Sequence, residues 1–260
     1  METAEHKADT KATATKDKKE VVIEIKGLKK SFGDKQVLKN INLTVHRGEN
    51  VVILGRSGTG KSVTIQCLIG MLAPDGGTLK VLGEEVNNLD DKELKELRTK
   101  IGFLFQGAAL YDSMTVRENM EFALTRVLKI TDQAELDKKV EDVLESVGLP
   151  DAAEKMPSDL SGGMRKRIGL ARTLIVNPEI MLYDEPTTGL DPITSREISH
   201  LILDMQKKYK TTSIIITHDM ECAKITADRV VVMDDGVYVA EGTFEELHKS
   251  TDKFVKSYFI

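Results

Sequence analysis

Apolar runs of four to six residues recur along the chain at 21–25, 41–45, 51–54, 78–82, 101–105, 180–184, 213–217, 229–233 and 237–240. Their aliphatic and β-branched content predicts strands. The uninterrupted ones, such as Val51-Val52-Ile53-Leu54 and Ile214-Ile215-Ile216, suit strands covered on both faces. The runs at 21–25, 41–45 and 78–82 read instead as members of a partly antiparallel sheet. Elsewhere the apolar spacing lengthens to three and four, as in Val63, Ile65, Leu68, Ile69 and Leu72. The same spacing links Leu136, Val140, Val143, Leu144 and Val147, and again Met164, Ile168, Leu170, Ala171, Leu174 and Ile175. These stripes predict helices, the second ended by Gly148. Asp235-Gly236 predicts a hairpin turn, and Thr243 with Glu246 a capping box for a late helix. Strand and helix alternate and no internal repeat is visible. The expected fold is therefore α/β: a mixed central sheet, an antiparallel β subdomain and a helical insertion. We expect one domain over 21–248 with the insertion at about 107–163, a disordered tail at 1–20 and a docking tail at 249–260.

Composition narrows this picture at a few points. The net charge is −5, with 37 Lys and Arg against 42 Asp and Glu, which argues against a general nucleic-acid binder. Cys67 and Cys222, the two cysteines, form neither a disulfide framework nor a metal cluster and are expected in the core. No apolar run reaches the ~18–20 residues that span a bilayer, so any membrane passage requires another polypeptide. Residues 1–20 hold five lysines, five acids and no apolar segment of the signal-peptide kind. The last seven residues hold Phe254, Tyr258 and Phe259. The plain expectation there is a short helix docked on its own domain, and the alternative is a contact with a second subunit or accessory protein.

The candidate chemistry lies between the elements. Gly55-Arg56-Ser57-Gly58-Thr59-Gly60-Lys61-Ser62 follows a strand and opens a helix, the setting of a phosphate-binding loop. Its glycines let the backbone wrap phosphates, Lys61 would reach the β- and γ-phosphates, and the Ser62 hydroxyl would ligate Mg²⁺. Leu160-Ser161-Gly162-Gly163-Met164 opens a second helix, where a serine cap and free N–H groups favour an anion. It runs straight into Arg165-Lys166-Arg167. Asp184 and Glu185 close the strand at 180–184, where one carboxylate can hold Mg²⁺ through water and the next can polarise an attacking water. His218 follows the strand at 213–217, and Gln106 the strand at 101–105. Read singly, His218 is more often an ordinary histidine and Gln106 carries no message.

In this order, GRSGTGKS, Gln106, LSGGM, LYDEP, Gly189-Leu190-Asp191 and His218 resemble the ATP-binding cassette ATPases over residues 21–248. Phe32, twenty-nine positions before Lys61, matches the place where that family stacks an aromatic on adenine. The resemblance implies the P-loop NTPase cassette fold, ATP and Mg²⁺ as ligands, Glu185, His218 and Lys61 as catalytic groups, and Ser62, Gln106 and Asp184 around the metal. It makes Ser161, Gly162, Gly163 and Asp191 contacts to a nucleotide held by a second copy of the chain, giving a dimer with two composite sites. It also implies transmembrane permease partners and a peripheral place on the cytoplasmic face of the inner membrane.

The segment from Phe105 to Asn119, the run Asp191-Pro192-Ile193-Thr194, and Met164 where most cassettes carry glutamine are similar to the Mla-type lipid-transport branch. That likeness implies phospholipid transport, with a lipid-carrier protein and a small accessory subunit as further partners. Physically, Ala108–Leu110 and Tyr111–Met114 put apolar residues in a loop just past Gln106, suited either to receive a permease helix or simply to pack the insertion. An amino-acid or metal importer is the alternative. A chromosome-organising ATPase would need a long coiled coil between its motifs, and no sustained heptads occur here.

Overall fold

The computed structural model describes residues 20–259, so the 1–20 leader falls, Glu20 excepted, outside the described residues. Two sheets carry the molecule. In the first, β1 (Val21–Phe32) pairs antiparallel with β2 (Lys35–His46) and β4 (Gly76–Val81), and β5 (Glu84–Glu85) forms the edge. The second has the order β10-β9-β3-β8-β7-β6. It contains β3 (Asn50–Leu54), β6 (Ile101–Leu104), β7 (Ile180–Asp184), β8 (Thr212–Thr217), β9 (Arg229–Asp234) and β10 (Val237–Gly242). All its pairings are parallel except the β9–β10 hairpin. This is the α/β arrangement expected from the strand runs, a mixed central sheet beside an antiparallel β subdomain.

The pleat explains why the central strands read as unbroken apolar runs. Val51 and Ile53 face the cluster shared with the antiparallel sheet, whereas Val52 and Leu54 face the opposite cluster. Leu182 and Ile214 join the first, and Tyr183 and Ile215 the second. With both faces covered, no alternation survives in the sequence. The helices α1 (Lys61–Leu68), α2 (Asp91–Thr99), α5 (Gly162–Leu174), α6 (Pro192–Tyr209), α7 (Met220–Thr226) and α8 (Phe244–His248) surround this core. A third apolar cluster lies among α3 (Val116–Ala123), α4 (Gln133–Ser146) and α5, through Val116, Met120, Val140, Leu144 and Ile168. Cys67 and Cys222 are buried free thiols, and burial pushes both up to about 11.

Local signals account for most boundaries. Gly148 sits at φ +70 just past α4, and Thr243 with Glu246 makes the reciprocal cap of α8. Two helices are longer or plainer than their hydrophobic spacing suggests. The surface helix α2 buries only Leu97 and is announced by the capping box Asp90/Glu93. The 18-residue α6 starts from Asp191 as cap and Pro192 in its first turn, and its apolar stripe is diluted by charged positions. Conversely the apolar stripe continuing to Leu72 outruns α1, which stops at Leu68 before Gly70 turns to φ +64.

The aromatic end of the chain docks on its own domain. In and beyond α9 (Lys253–Lys256), Val255 is buried, and Phe259 meets Phe244 edge-on at 5.3 Å. The Tyr258 hydroxyl donates to Asp234 Oδ1 at 3.2 Å, and Arg56 lies 5.7 Å over its ring. At the other end Glu20 pairs with Arg47 at 2.6 Å.

Arg229 ties the two sheets together. Its guanidinium donates to both oxygens of Glu49 at 2.7 and 3.1 Å, to Glu241 on β10 and to the Thr44 carbonyl on β2. Its side chain is 20% exposed and that of Glu49 14%, so neither charge is well solvated once alone. Arg229→Ala should lower unfolding stability by about 2–3 kcal/mol, read from the urea midpoint. A loss below about 1 kcal/mol would show that the bridge is dispensable.

Candidate functional site

Three strands deliver the site. Gly55 follows β3, Glu185 follows β7 and His218 follows β8, and the registers Leu54↔Thr217 and Asp184↔Ile216 end these strands at one level. Residues 55–60 then bridge β3 to α1. Gly58 and Gly60 stand at φ +81 and +106, where L side chains are strained. At Gly55 a Cβ would lie 2.6 Å from the Met233 carbonyl, and at Gly60 it would lie 2.9 Å from Leu38. No side chain caps α1, so its first-turn N–H groups remain free for an anion. Thr59 donates to the Arg56 carbonyl at 2.9 Å and braces the loop from within.

Lys61, 6% exposed, donates to the carbonyls of Gly55 at 2.6 Å and Arg56 at 3.1 Å, and its ammonium lies 3.6 Å from Glu185. Burial lowers its pKa, against the opposing pull of Glu185 and Asp184. Ser62 donates to Asp184 Oδ1 at 3.1 Å. Burial, with the neighbouring Glu185 charge, raises the Asp184 carboxyl above its ordinary range despite that hydrogen bond. Glu185 has a left-handed backbone at φ +51. Its Oε2 accepts from Thr188 at 3.2 Å and lies 2.8 Å from His218 Nδ1. A carboxylate only accepts, so the His218 Nδ1–H donates. Thr187 donates to Asp219 at 2.9 Å and fastens the turn after Glu185 to the start of α7.

A cleft of about 380 Å³ joins these groups: Ser57, Gly58, Gly60, Lys61 and Ser62 on one wall, Gln106, Asp184, Glu185 and His218 on the other. Among the described residues no group of three His, Cys, Asp or Glu forms a protein-only metal cage. One half-buried carboxylate bonded to one hydroxyl is the partial donor set that suits Mg²⁺, which completes its shell with phosphate oxygens and water. The residues present therefore fit that ion, with Ser62 and Asp184 as its protein side.

Phe32, Ser161, Gly162, Gly163 and Asp191 do not line this cleft. Phe32 is 48% exposed, with the Lys30 ammonium 5.6 Å over its ring. Ser161 caps α5 through its Oγ, which accepts from Met164 N at 3.2 Å, and Gly162 is exposed beside it. Asp191 caps α6, accepting from Ile193 N and Thr194 N at 3.0 Å each, so its carboxylate is occupied within its own chain. Hydrogen bonds from Thr194 hold that carboxyl below its ordinary range. The two glycine-rich helix starts singled out in the sequence are thus separate surfaces in one chain.

Sequence reasoning passed over Thr188 and Lys166. The first adjoins the Asp-Glu pair and was visible by proximity. Lys166 was seen only as part of a basic run, yet it is 6% exposed and burial lowers its pKa.

The loop after Gln106 is part packed and part exposed. Ala108 is buried against α5, whereas Tyr111 is 45% exposed. Tyr111 forms part of a groove of about 260 Å³ with Phe122, Arg98, Arg126 and Arg172. Tyr111 and Phe122 meet edge-on at 5.1 Å, with Arg172 and Arg126 stacked 5.6 and 5.4 Å from the respective rings.

Residues 38–188 match the family model described as ABC transporter. The chain is 40% identical over 238 residues to the "Probable ribonucleotide transport ATP-binding protein mkl" of Mycobacterium leprae, covering 92% of this chain and 68% of that protein. It is 42% identical over 223 residues to the "Methionine import ATP-binding protein MetN" of Rhizobium johnstonii, covering 86% of this chain and 61% of that protein. The curated relatives are therefore substantially longer than the matched region. Among solved structures, the dimeric post-hydrolysis state of the ATP-binding cassette MJ0796 bound to ADP and Pi superposes with a TM-score of 0.77 at 32% identity, covering 85% of this chain and 98% of that one. The cbiO1 protein of Clostridium perfringens, part of the ABC transporter complex cbiONQ, gives 0.81 at 30% identity, covering 91% and 94%.

The glycine geometry carries its own test. Gly60→Ala combines a left-handed backbone with a collision against Leu38, whereas Gly33, at φ +57, has no atom within 4 Å of a Cβ. Gly60→Ala should cost at least about 1 kcal/mol more stability than Gly33→Ala in urea denaturation. Equal losses would mean that the loop accommodates the methyl group.

Proposed function

This chain belongs to the ABC transporter family, and from that premise we propose that it is the ATP-hydrolysing subunit of a transporter that moves phospholipid between the inner membrane and a periplasmic carrier. The family is an ATPase family. The observation that carries the catalytic reading is the convergence of Lys61, Ser62, Asp184, Glu185 and His218 on one cleft. Among the described residues no helix is long and apolar enough to cross a membrane, which fits a subunit that drives a separate permease.

In this reading the free N–H groups of the 55–62 loop and the Lys61 ammonium bind the β- and γ-phosphates. Ser62 and Asp184, with Gln106 as a further candidate, would hold Mg²⁺, which would neutralise phosphate charge. Glu185 orients the attacking water and accepts its proton, while His218 fixes the carboxylate through the 2.8 Å bond and faces the γ-phosphate. Ser161, Gly162, Gly163 and Asp191 lie outside this cleft and complete the site of a second copy, so two chains enclose two nucleotides. Phe32 stacks the adenine from its exposed position. Met164 lacks the amide donors of glutamine, which leaves phosphate contact on that side to Ser161 and the glycine backbone. The aromatic and arginine groove at Tyr111 receives a permease helix.

The lipid cargo rests on the residues at 105–119, Met164 and 191–194. The similarity to a protein described as a methionine importer supports the second reading, an amino-acid importer.

Glu185→Gln should reduce ATP turnover at least about 100-fold while nucleotide binding persists and an ATP-dependent dimer accumulates on size-exclusion chromatography. Lys61→Ala should instead lose nucleotide affinity. Turnover of Glu185→Gln within about threefold of the unmodified chain would remove Glu185 from its role.

For the cargo, the membrane complex co-purified with this chain should be reconstituted in vesicles. ATP-dependent transfer of a fluorescent phospholipid is expected, and Arg126→Glu in the groove should reduce it at least about fivefold. ATP-dependent methionine uptake without lipid transfer would establish the second reading instead.

A further inference from the structure

The buried face of α5 grips the loop that carries Gln106. Lys166 Nζ donates to the Gln106 carbonyl at 2.5 Å, Gly169 allows Ala108 to approach so closely that a Cβ there would lie 2.8 Å from it, and Arg172 donates to the Ala109 carbonyl at 2.6 Å. These three residues recur every three positions and so share one side of the helix. The loop needs this hold. Ala108 and Ala109 are consecutive non-glycine residues at φ +62 and +49, a strained arrangement that persists only when its surroundings over-determine it.

Lys166 reaches further than its two companions. Its ammonium also donates to the Glu185 carbonyl at 3.3 Å, and Glu185 too has a left-handed backbone. The amine is 6% exposed and has no carboxylate partner among the ion pairs of the described residues. A buried lysine bound to two main-chain carbonyls is a strut whose donated bonds are charge-assisted.

We propose that Lys166 is a positioning residue for ATP hydrolysis: by clamping the carbonyls of Gln106 and Glu185 to one ammonium, it sets the placement of both side chains around the attacking water. The strut stands in the second turn of the helix that Ser161 caps, so the element offered to the second copy's nucleotide is fastened to the chain's own catalytic turn. This inference rests on the roles proposed above for Glu185 and Gln106.

The test compares Lys166→Met and Lys166→Arg in the full chain. Lys166→Met should lower kcat for ATP at least tenfold with KM changed less than about twofold, the signature of a lost transition-state arrangement. Lys166→Arg, which keeps the charged donor, should return kcat to within about threefold of the unmodified chain. Hydrogen–deuterium exchange, which requires no turnover, should rise in Lys166→Met at 106–109 and 185–188 while β3 and β8 stay protected.

A kcat for Lys166→Met within twofold of the unmodified value would overturn the proposal, as would unchanged exchange in both segments. If Lys166→Met does not fold, Lys166→Gln takes its place with the same exchange criterion. Should Glu185→Gln prove active, the role of Glu185 fails by itself, and the exchange data still decide whether Lys166 holds the two turns.

Discussion

Three neighbouring parallel strands that stop at one height are the constraint on which the chemistry depends. Leu54 lies opposite Thr217, and Asp184 opposite Ile216, so Gly55, Glu185 and His218 each begin a turn at the same sheet edge. Apolar burial alone does not choose this register, because both faces of these strands are hydrophobic. Polar bonds at the opposite edge pin β3 in its register. Gly48 N donates to the Thr212 hydroxyl, Asn50 N to Asp228, and Ser213 N to the Glu49 carbonyl, all within 2.8–2.9 Å. A one-residue slip of β3 would break all three and carry the turn after β3 out of level with those after β7 and β8.

The site built on this edge is costly to hold and is stabilised by mutual compensation. Lys61, Lys166, Asp184 and Glu185 share a poorly hydrated cluster in which burial lowers the pKa of the two amines and raises that of Asp184. Each charge is tolerable because an opposite charge or a carbonyl lies close by. Glu185 adds backbone strain, retained by its amide bond to the Ile216 carbonyl at 2.9 Å and by Lys166 on its own carbonyl. Groups fixed in this way before substrate arrives need little reorganisation during reaction.

Much of this was legible in the chain. The loop at 55–62 is local: its glycines, Lys61 and Ser62 are contiguous, so spacing and flanking elements suffice to recognise the pattern. Asp184 with Glu185 was legible because a pair of acids terminates an apolar strand. His218 and Gln106 were ordinary residues until the order of motifs joined them. Helix α2 was missed because a surface helix with one buried residue carries almost no hydrophobic signal, and α6 because charges interrupt its stripe. Lys166 was not recognisable, since a lysine in a basic run looks solvated until the fold turns it inward.

By itself the sequence determined the strand and helix periods, the glycine-rich turn between β3 and α1, and which polar and charged side chains follow the strands. These follow from neighbours within a few positions, where side-chain spacing and backbone freedom act directly. Only the tertiary structure decided which of them meet. It brought Lys61 to Glu185 at 3.6 Å from distant parts of the chain, left Ser161 to Gly163 on a separate surface, and committed the Asp191 carboxylate to a helix cap. Those outcomes depend on strand order and register, which arise from long-range packing and from polar bonds at the far edge of the sheet.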